Sequence, residues 1–337
     1  MKTLRAGLIG LGMMGRHHAR NLRALEGVEL VGVADADGDR LGEAGALPLL
    51  HDLNQLLETG IDYCVVALPT ELHEEIGLRL AEAGVHALIE KPLAISTQAS
   101  TNLVEAFEGR GLVGGVGHIE RYNPALQSLR ARLAHGDLGD LYQVATRRQG
   151  PFPARIADVG VVKDLASHDI DLTAWVTGRE YLSVAARAMF KSGRSHEDMV
   201  AVTAELSGGL MSNHLVNWLT PLKERLTIVT GEKGMFVADT LTADLTFYAN
   251  GSIDSEWDDL ANFRGVREGD MTRYAIPKPE PLRTEHEAFR DAVLGLRSDI
   301  VTMREGLGVV RVCEAVIESA ASGQTVKVNG EREASVA

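Results

Sequence analysis

Short apolar runs alternate with amphipathic stretches over the first third of the chain. Runs at 6–9, 28–34, 62–68, 86–89 and 112–116 are rich in Val, Ile, Leu and Ala and read as strands. The 62–68 run is so uniformly apolar that burial on both faces is expected. Between the runs, 16–25, 71–83 and 96–108 carry apolar residues at helical spacing, with Ser96 as N-cap of the last. Strands alternating with helices predict parallel βαβ units. After about residue 120 the period changes. Helices are predicted at 124–133 and 164–176. Longer runs alternating every two residues, at 141–147, 182–190, 199–206, 210–218 and 226–230, predict strands, and glycine pairs such as Gly208-Gly209 predict hairpins. Two late helices are expected near 285–296 and 304–321. The stretch 254–280 is polar and without a period, and reads as a loop over the site or a subunit contact.

Composition narrows the function classes. Apolar residues make up 45% of the chain and charged residues 24%, enough apolar material for real cores. The net charge of −13 disfavours nucleic acid and anionic lipid as partners. No apolar run is long enough to span a bilayer, and the N-terminal apolar run meets a glycine turn at once, unlike a signal peptide. A cytoplasmic location is expected by default. Cys64 and Cys313 sit in apolar segments and read as buried free thiols, with neither a disulfide nor a metal site indicated.

Gly10-Leu11-Gly12-Met13-Met14-Gly15 follows the first predicted strand and opens the first helix. Asp35 ends the second strand, about twenty residues on, which completes a dinucleotide-binding fingerprint. Gly10 makes the turn, Gly12 admits the backbone to a pyrophosphate, and Gly15 lets helix and strand pack. Asp35 is expected to accept hydrogen bonds from the adenosine ribose and to repel a 2′-phosphate; Ala36 and Asp37 offer no cation to hold one. NAD is therefore expected rather than NADP. The fold class follows: an N-terminal Rossmann domain, doubly wound on a parallel sheet, over 1–120. A substrate-binding and oligomerisation α+β domain with an open, mostly antiparallel sheet follows over 121–330, its late helices able to pack back on the first.

Further segments point one way. Leu68-Pro69-Thr70 with His73, then Glu90-Lys91-Pro92 at a strand end, then Asp164-Leu165-Ala166-Ser167-His168-Asp169, resemble in order the Gfo/Idh/MocA oxidoreductases. Within that family, Gly117-His118-Ile119-Glu120-Arg121-Tyr122-Asn123-Pro124 and Gly160-Val161-Val162 resemble the UDP-N-acetylglucosamine 3-dehydrogenase branch. The resemblance implies an NAD-dependent dehydrogenase acting on a secondary hydroxyl, at C3 of a UDP-amino sugar. It implies a cofactor lined by Gly10, Gly12, Met13, Met14, Gly15, Asp35, Leu68, Pro69, Thr70, His73, Glu90 and Lys91. It also implies a cis bond before Pro92, a homodimer or homotetramer built on the open sheet face, and a PLP aminotransferase as the next enzyme.

Alcohol oxidation needs a base for the hydroxyl proton and a polar group for the charge developing on oxygen. Lys91 stands at the carboxyl edge of the predicted sheet, where ligands bind in this fold. Asp164 and His168, at i and i+4, share a face if their segment is an α-helix. The resemblance makes His168 the proton acceptor and Lys91 the polarising group, and sequence leaves the two roles interchangeable. Asp164 is expected to contact sugar hydroxyls or Lys91, while Asp169 and Asp171 cap, pair or face solvent. Arg121, Tyr122 and Asn123 touch substrate or nicotinamide, or else form a hydrogen-bond set where the chain leaves the first domain. Lys223 and Arg225 meet a diphosphate, or else mark a solvated strand edge; Arg148 and Arg155 are weaker candidates. His18 and His73 read as structural or cofactor-adjacent. His17, His51, His86, His118, His135, His196, His214 and His286 have no metal-ligand spacing, though His214 suits a polar pocket. Two alternatives stay open: an inositol or other sugar dehydrogenase with the same machinery, and a non-catalytic NAD-sensing or scaffold protein.

Overall fold

In the computed structural model, which describes residues 3–40, 42–152, 159–251 and 269–328, the chain clusters into two compact units. One comprises Met1–Tyr122 with Pro279–Glu314, the other Asn123–Lys278 with Ala315–Ala337.

The first unit is built on six strands: β1 (Leu4–Ile9), β2 (Val28–Ala34), β3 (Leu49–Leu50), β4 (Tyr63–Val66), β5 (His86–Glu90) and β6 (Gly114–Gly117). Each pairs in parallel, in the order β3-β2-β1-β4-β5-β6. This order reverses between β1 and β4, which opens a crevice at the carboxyl ends of those strands. Alternate side chains feed two cores. Leu4, Ala6, Leu8, Tyr63 and Val65 join one on the face covered by α1 (Met13–Ala24). Cys64, Val66, Ala87 and Ile89 join the other, with residues of α3 (His73–Glu82) and α4 (Thr97–Glu108). All four residues of β4 are buried, as a strand covered on both faces requires. Both thiols are free and buried. Ser96 caps α4 by accepting the Ala99 N–H. Strand β3 and the short helix α2 (Leu53–Glu58) lack enough residues to show a period, and sequence reading passes over both.

Among the described residues the second unit carries nine strands: β7 (Leu141–Gln149), β8 (Tyr181–Met189), β9 (Met199–Leu206), β10 (Leu210–Asn217), β11 (Glu224–Gly231), β12 (Gly234–Asp239), β13 (Asp244–Ala249), β14 (Met271–Arg273) and β15 (Val326–Lys327). Their order is β14-β13-β12-β11-β7-β10-β9-β8-β15. Every pairing is antiparallel except β7 with β10, which is parallel. Helices α5 (Pro124–His135) and α6 (Ser167–Thr177) contact the sheet. On β9 and β10 alternate residues are buried, and the other face shows Met211, Tyr248 and Met271 to solvent. The late helices are α7 (Pro281–Val293) and α8 (Met303–Ser322). Residues 254–268 and Arg155 lie outside the described residues; in the described remainder of 254–280, Met271–Arg273 forms a strand where the sequence reads as a loop over the site or a subunit contact. Among the described residues no helix is long and apolar enough to cross a membrane.

Candidate active site

At the end of β1 the chain turns at Gly10 with φ +95°, and a Cβ there would overlap the Ala67 carbonyl. A Cβ on Gly15 would overlap the Gly10 carbonyl. The protein's own packing therefore requires both glycines. Gly12 differs: a Cβ would meet nothing within 4 Å. Nothing inside the protein demands a glycine there, whereas a pyrophosphate approaching the backbone does. Met13 and Met14 form the first turn of α1 rather than part of the preceding loop. That turn has neither a side-chain cap nor a carboxylate, so its N–H groups and dipole suit an anion. Asp35, just after β2, is pinned to the same turn: Oδ2 accepts the Leu11 N–H at 2.6 Å and Oδ1 the Asp37 N–H at 2.8 Å. The residues present fit a dinucleotide.

Leu68 and Pro69 follow β4, and buried Thr70 opens a single 3₁₀ turn into α3. His73 is buried, its Nε2 2.9 Å from the Leu68 carbonyl and its Nδ1 3.0 Å from the Pro92 carbonyl. It ties the turn after β4 to the turn after β5. Burial lowers its pKa, against the pull of those carbonyls and of Glu90. Glu90 is buried at the end of β5; Lys91 beside it is half-buried, and the Lys91–Pro92 bond is cis. Gly10, Asp35, Leu68 and Glu90-Lys91 thus stand at the carboxyl ends of β1, β2, β4 and β5.

In the second unit, Asp164 is not on an α-helix. Residues Val162–Ala166 form a π-helical turn, with the Ser167 N–H donating to the Val162 carbonyl, and the α-helix begins only at Ser167. The shared face predicted for Asp164 and His168 on α-helical geometry is therefore replaced by a wider turn, of a kind frequent at functional sites. Glu197 anchors the approach to it, its carboxylate accepting the Val162 N–H at 2.9 Å and its carbonyl the Val161 N–H at 3.0 Å. Asp164 is buried and His168 half-buried. The next residue, Asp169, is 2% exposed and paired: Oδ1 lies 2.7 Å from Arg148 Nε, and Oδ2 accepts the Thr146 hydroxyl at 3.1 Å. Arg148, weighed as a ligand contact from sequence, is thus half of a buried ion pair.

Arg121, Tyr122 and Asn123 have partners inside their own units. Arg121 pairs with Glu305 at 2.6 Å, and the Tyr122 hydroxyl donates to the Asp299 carbonyl at 3.3 Å. Asn123 caps α5 by accepting the Ala125 N–H and donates to the Thr240 carbonyl. Lys223 is exposed, and Arg225 lies within β11, where its Nη1 donates to the Gln149 and Glu224 carbonyls. His214, suited by sequence to a polar pocket, is buried against Thr146, Tyr181 and Ser212 at 2.8, 3.0 and 3.1 Å, and burial pushes its pKa down to about 4. Sequence reading found neither this network nor the one joining His18 to His286, since their members are brought together by folding from distant segments. Among the described residues no group of three or more His, Cys, Asp or Glu side chains is placed to hold a metal ion.

Comparison with known proteins agrees with this layout. Residues 4–118 match the oxidoreductase family with NAD-binding Rossmann fold, and residues 126–237 the GFO/IDH/MocA C-terminal domain. The UDP-N-acetylglucosamine 3-dehydrogenase of Acidithiobacillus ferrooxidans is 29% identical over 88% of this chain and 91% of its own. Inositol 2-dehydrogenase 2 of Saccharopolyspora erythraea is 26% identical over 97% and 96%. A solved structure of the A. ferrooxidans enzyme superposes with a TM-score of 0.84, at 27% identity over 96% of this chain and 99% of that one. The chain belongs to the Gfo/Idh/MocA family and is an NAD-dependent oxidoreductase.

Proposed function

We propose that the protein oxidises a secondary hydroxyl, that at C3, of a UDP-amino sugar such as UDP-N-acetylglucosamine to the 3-keto sugar. The observation that carries the substrate class is similarity to a UDP-N-acetylglucosamine 3-dehydrogenase over nearly the full length of both chains. Bound NAD supplies the hydride acceptor. In this reading the domain over 1–120 holds the cofactor and the domain over 121–330 supplies substrate contacts. His168 takes the hydroxyl proton, Lys91 steadies the charge developing on that oxygen, and Asp164 holds the sugar hydroxyls or the lysine. Lys223 and Arg225 meet the diphosphate, and Arg121 and Tyr122 hold the segment that leads into α5. A 3-keto sugar is a natural substrate for a PLP aminotransferase, the proposed next step. The exposed sheet face carrying Met211, Tyr248 and Met271 is the proposed seat of a second copy.

One observation favours a second reading, an inositol or free-sugar dehydrogenase: Arg225 turns guanidinium donors onto main-chain carbonyls, which weakens the case for a diphosphate site. The test is NADH formation with UDP-N-acetylglucosamine, its uronic-acid analogue, UDP-glucose, myo-inositol and glucose, with a carbonyl trap to draw off ketone. Turnover with UDP-sugars alone is expected; turnover with inositol or glucose alone overturns the proposal.

Asp35 gives a separate prediction. Asp35→Ser removes a charged acceptor proposed to hold the ribose hydroxyls, a contact worth about 1.5–3 kcal/mol. The KM for NAD is expected to rise about 10–100-fold, with the preference over NADP shrinking by a similar factor. Steady-state kinetics with both cofactors check it, and an unchanged preference removes Asp35 from the cofactor site.

A further inference from the structure

Three buried side chains from distant parts of the first unit form a line. Glu90 Oε1 lies 2.9 Å from His18 Nε2, and His18 Nδ1 lies 2.9 Å from His286 Nε2. Glu90 is 8% exposed, His18 0% and His286 1%. They belong to β5, α1 and α7. The other Glu90 oxygen, Oε2, accepts the backbone N–H of Lys91 at 3.1 Å.

Hydrogen-bond valence fixes one end of the line. A carboxylate only accepts, so the His18 Nε2 carries a proton toward Glu90. At the other end the His18 Nδ1 meets the His286 Nε2, one of the two donating to the other. The surrounding charges agree with this arrangement. Burial alone would push Glu90 up, but the His18 hydrogen bond and the charges of His18 and Lys91 hold its carboxyl below the ordinary value. Burial, reinforced by His18, keeps His286 neutral. Glu285, also on α7 and buried, is pushed well above the ordinary carboxyl value by burial and by Glu90, so the negative charge resides on Glu90. Other groups that face this cluster include His73 toward Glu90, His17 toward His18, and Tyr122 toward Glu285 with Arg121 beside it.

We propose that His18 and His286 are positioning residues for Lys91. They fix Glu90 as an oriented carboxylate, one oxygen held by His18 and the other holding the lysine's own N–H, so that α1 and α7 together set the turn that presents the lysine. The proposal rests on the reading of Lys91 as the lysine of the reaction. It follows from directional hydrogen bonding: a side chain acting through its orientation depends on the partners that hold it.

The test compares His286→Leu with His286→Gln in the full chain. The glutamine amide can hydrogen-bond to His18 Nδ1; leucine cannot. Three quantities are read: kcat across pH 6–9 with the substrate found in the panel, KM for NAD, and the His18 Nδ1 signal by ¹⁵N NMR without cofactor. For His286→Leu, kcat is expected to fall about tenfold or more. KM for NAD stays within about threefold, the acidic limb of the kcat profile moves, and the His18 Nδ1 signal shifts as that nitrogen loses its partner. His286→Gln is expected to return that signal toward its wild-type position and bring kcat to within about threefold of the wild type. Equal loss in both variants, or a shifted Nδ1 signal with unchanged kcat, overturns the proposal. Where His286→Leu fails to fold, Glu90→Gln keeps the volume, removes the charge, and is expected to show the same split between kcat and KM. A fully active Lys91→Ala enzyme would instead overturn the reading of Lys91, a result separable from the His18 Nδ1 signal.

Discussion

Lys91→Ala is expected to lower kcat by about 10²–10⁴-fold, the usual worth of a group acting on the proton or charge of the reacting hydroxyl. NADH binding, followed by fluorescence, should change by no more than a few-fold, because the glycine turn at Gly10, Gly12 and Gly15, proposed to cradle the pyrophosphate, does not include this side chain. The site suits such a role. Lys91 is half-buried and follows the buried Glu90 at the carboxyl end of β5, the strand next to β4 and so beside the β1–β4 crevice. Buried carbonyl contacts of His73 hold Pro92 just after it. His168→Ala is expected to cost a similar factor, and rescue experiments separate the roles. Added imidazole should restore turnover to His168→Ala, as a missing base requires, and a small alkylamine should restore it to Lys91→Ala. An enzyme that keeps more than about a tenth of its kcat without Lys91 would show that the lysine does not act on the reacting oxygen.

The glycine fingerprint, Asp35 and the βαβ rhythm were legible because each is a local requirement. Gly10 and Gly15 are fixed by overlaps with the Ala67 and Gly10 carbonyls, and Cys64, Val65 and Val66 by a strand covered on both faces. What sequence could not show is of two kinds. Some elements are too short for a period to develop, as with Leu49–Leu50, or are announced only by a glycine-bounded turn, as with the β11–β12 hairpin that closes at Gly231 and Gly234. Others depend on contacts made only after the chain folds. The parallel pairing of β7 with β10 joins strands separated by some seventy residues, with Val144 opposite Ser212. The π turn at Val162–Ala166 leaves an ordinary helical spacing in the sequence, so Asp164 and His168 read as an α-helical pair. His286 shows no spacing with His18 or Glu90, and its placement appears only when α7 meets α1 within the first unit.

Asp169→Ala is expected to destabilise the second unit by about 3–5 kcal/mol, since it breaks the buried Arg148–Asp169 ion pair by removing one partner. For a unit of this size, about 2–4 °C accompanies each kcal/mol, so the melting temperature should fall by about 6–20 °C in calorimetry. Thr146 loses an acceptor as well. The cost is one of breaking the pair rather than of lacking it: replacing both partners, Arg148→Met with Asp169→Leu, should recover much of the loss. A double-mutant cycle therefore gives a coupling well above that of an exposed pair, about 0.2–1 kcal/mol. The effect should reach the chemistry too. Asp169 follows His168 in the first turn of α6 and anchors that turn to β7 through Arg148. Freed from that anchor, the turn no longer holds His168 in one orientation, and kcat falls with stability while NADH binding to the first unit persists. A melting temperature lowered by less than about 2 °C would mean that Arg148 is satisfied without Asp169, and the pair would then have no claim on the position of His168.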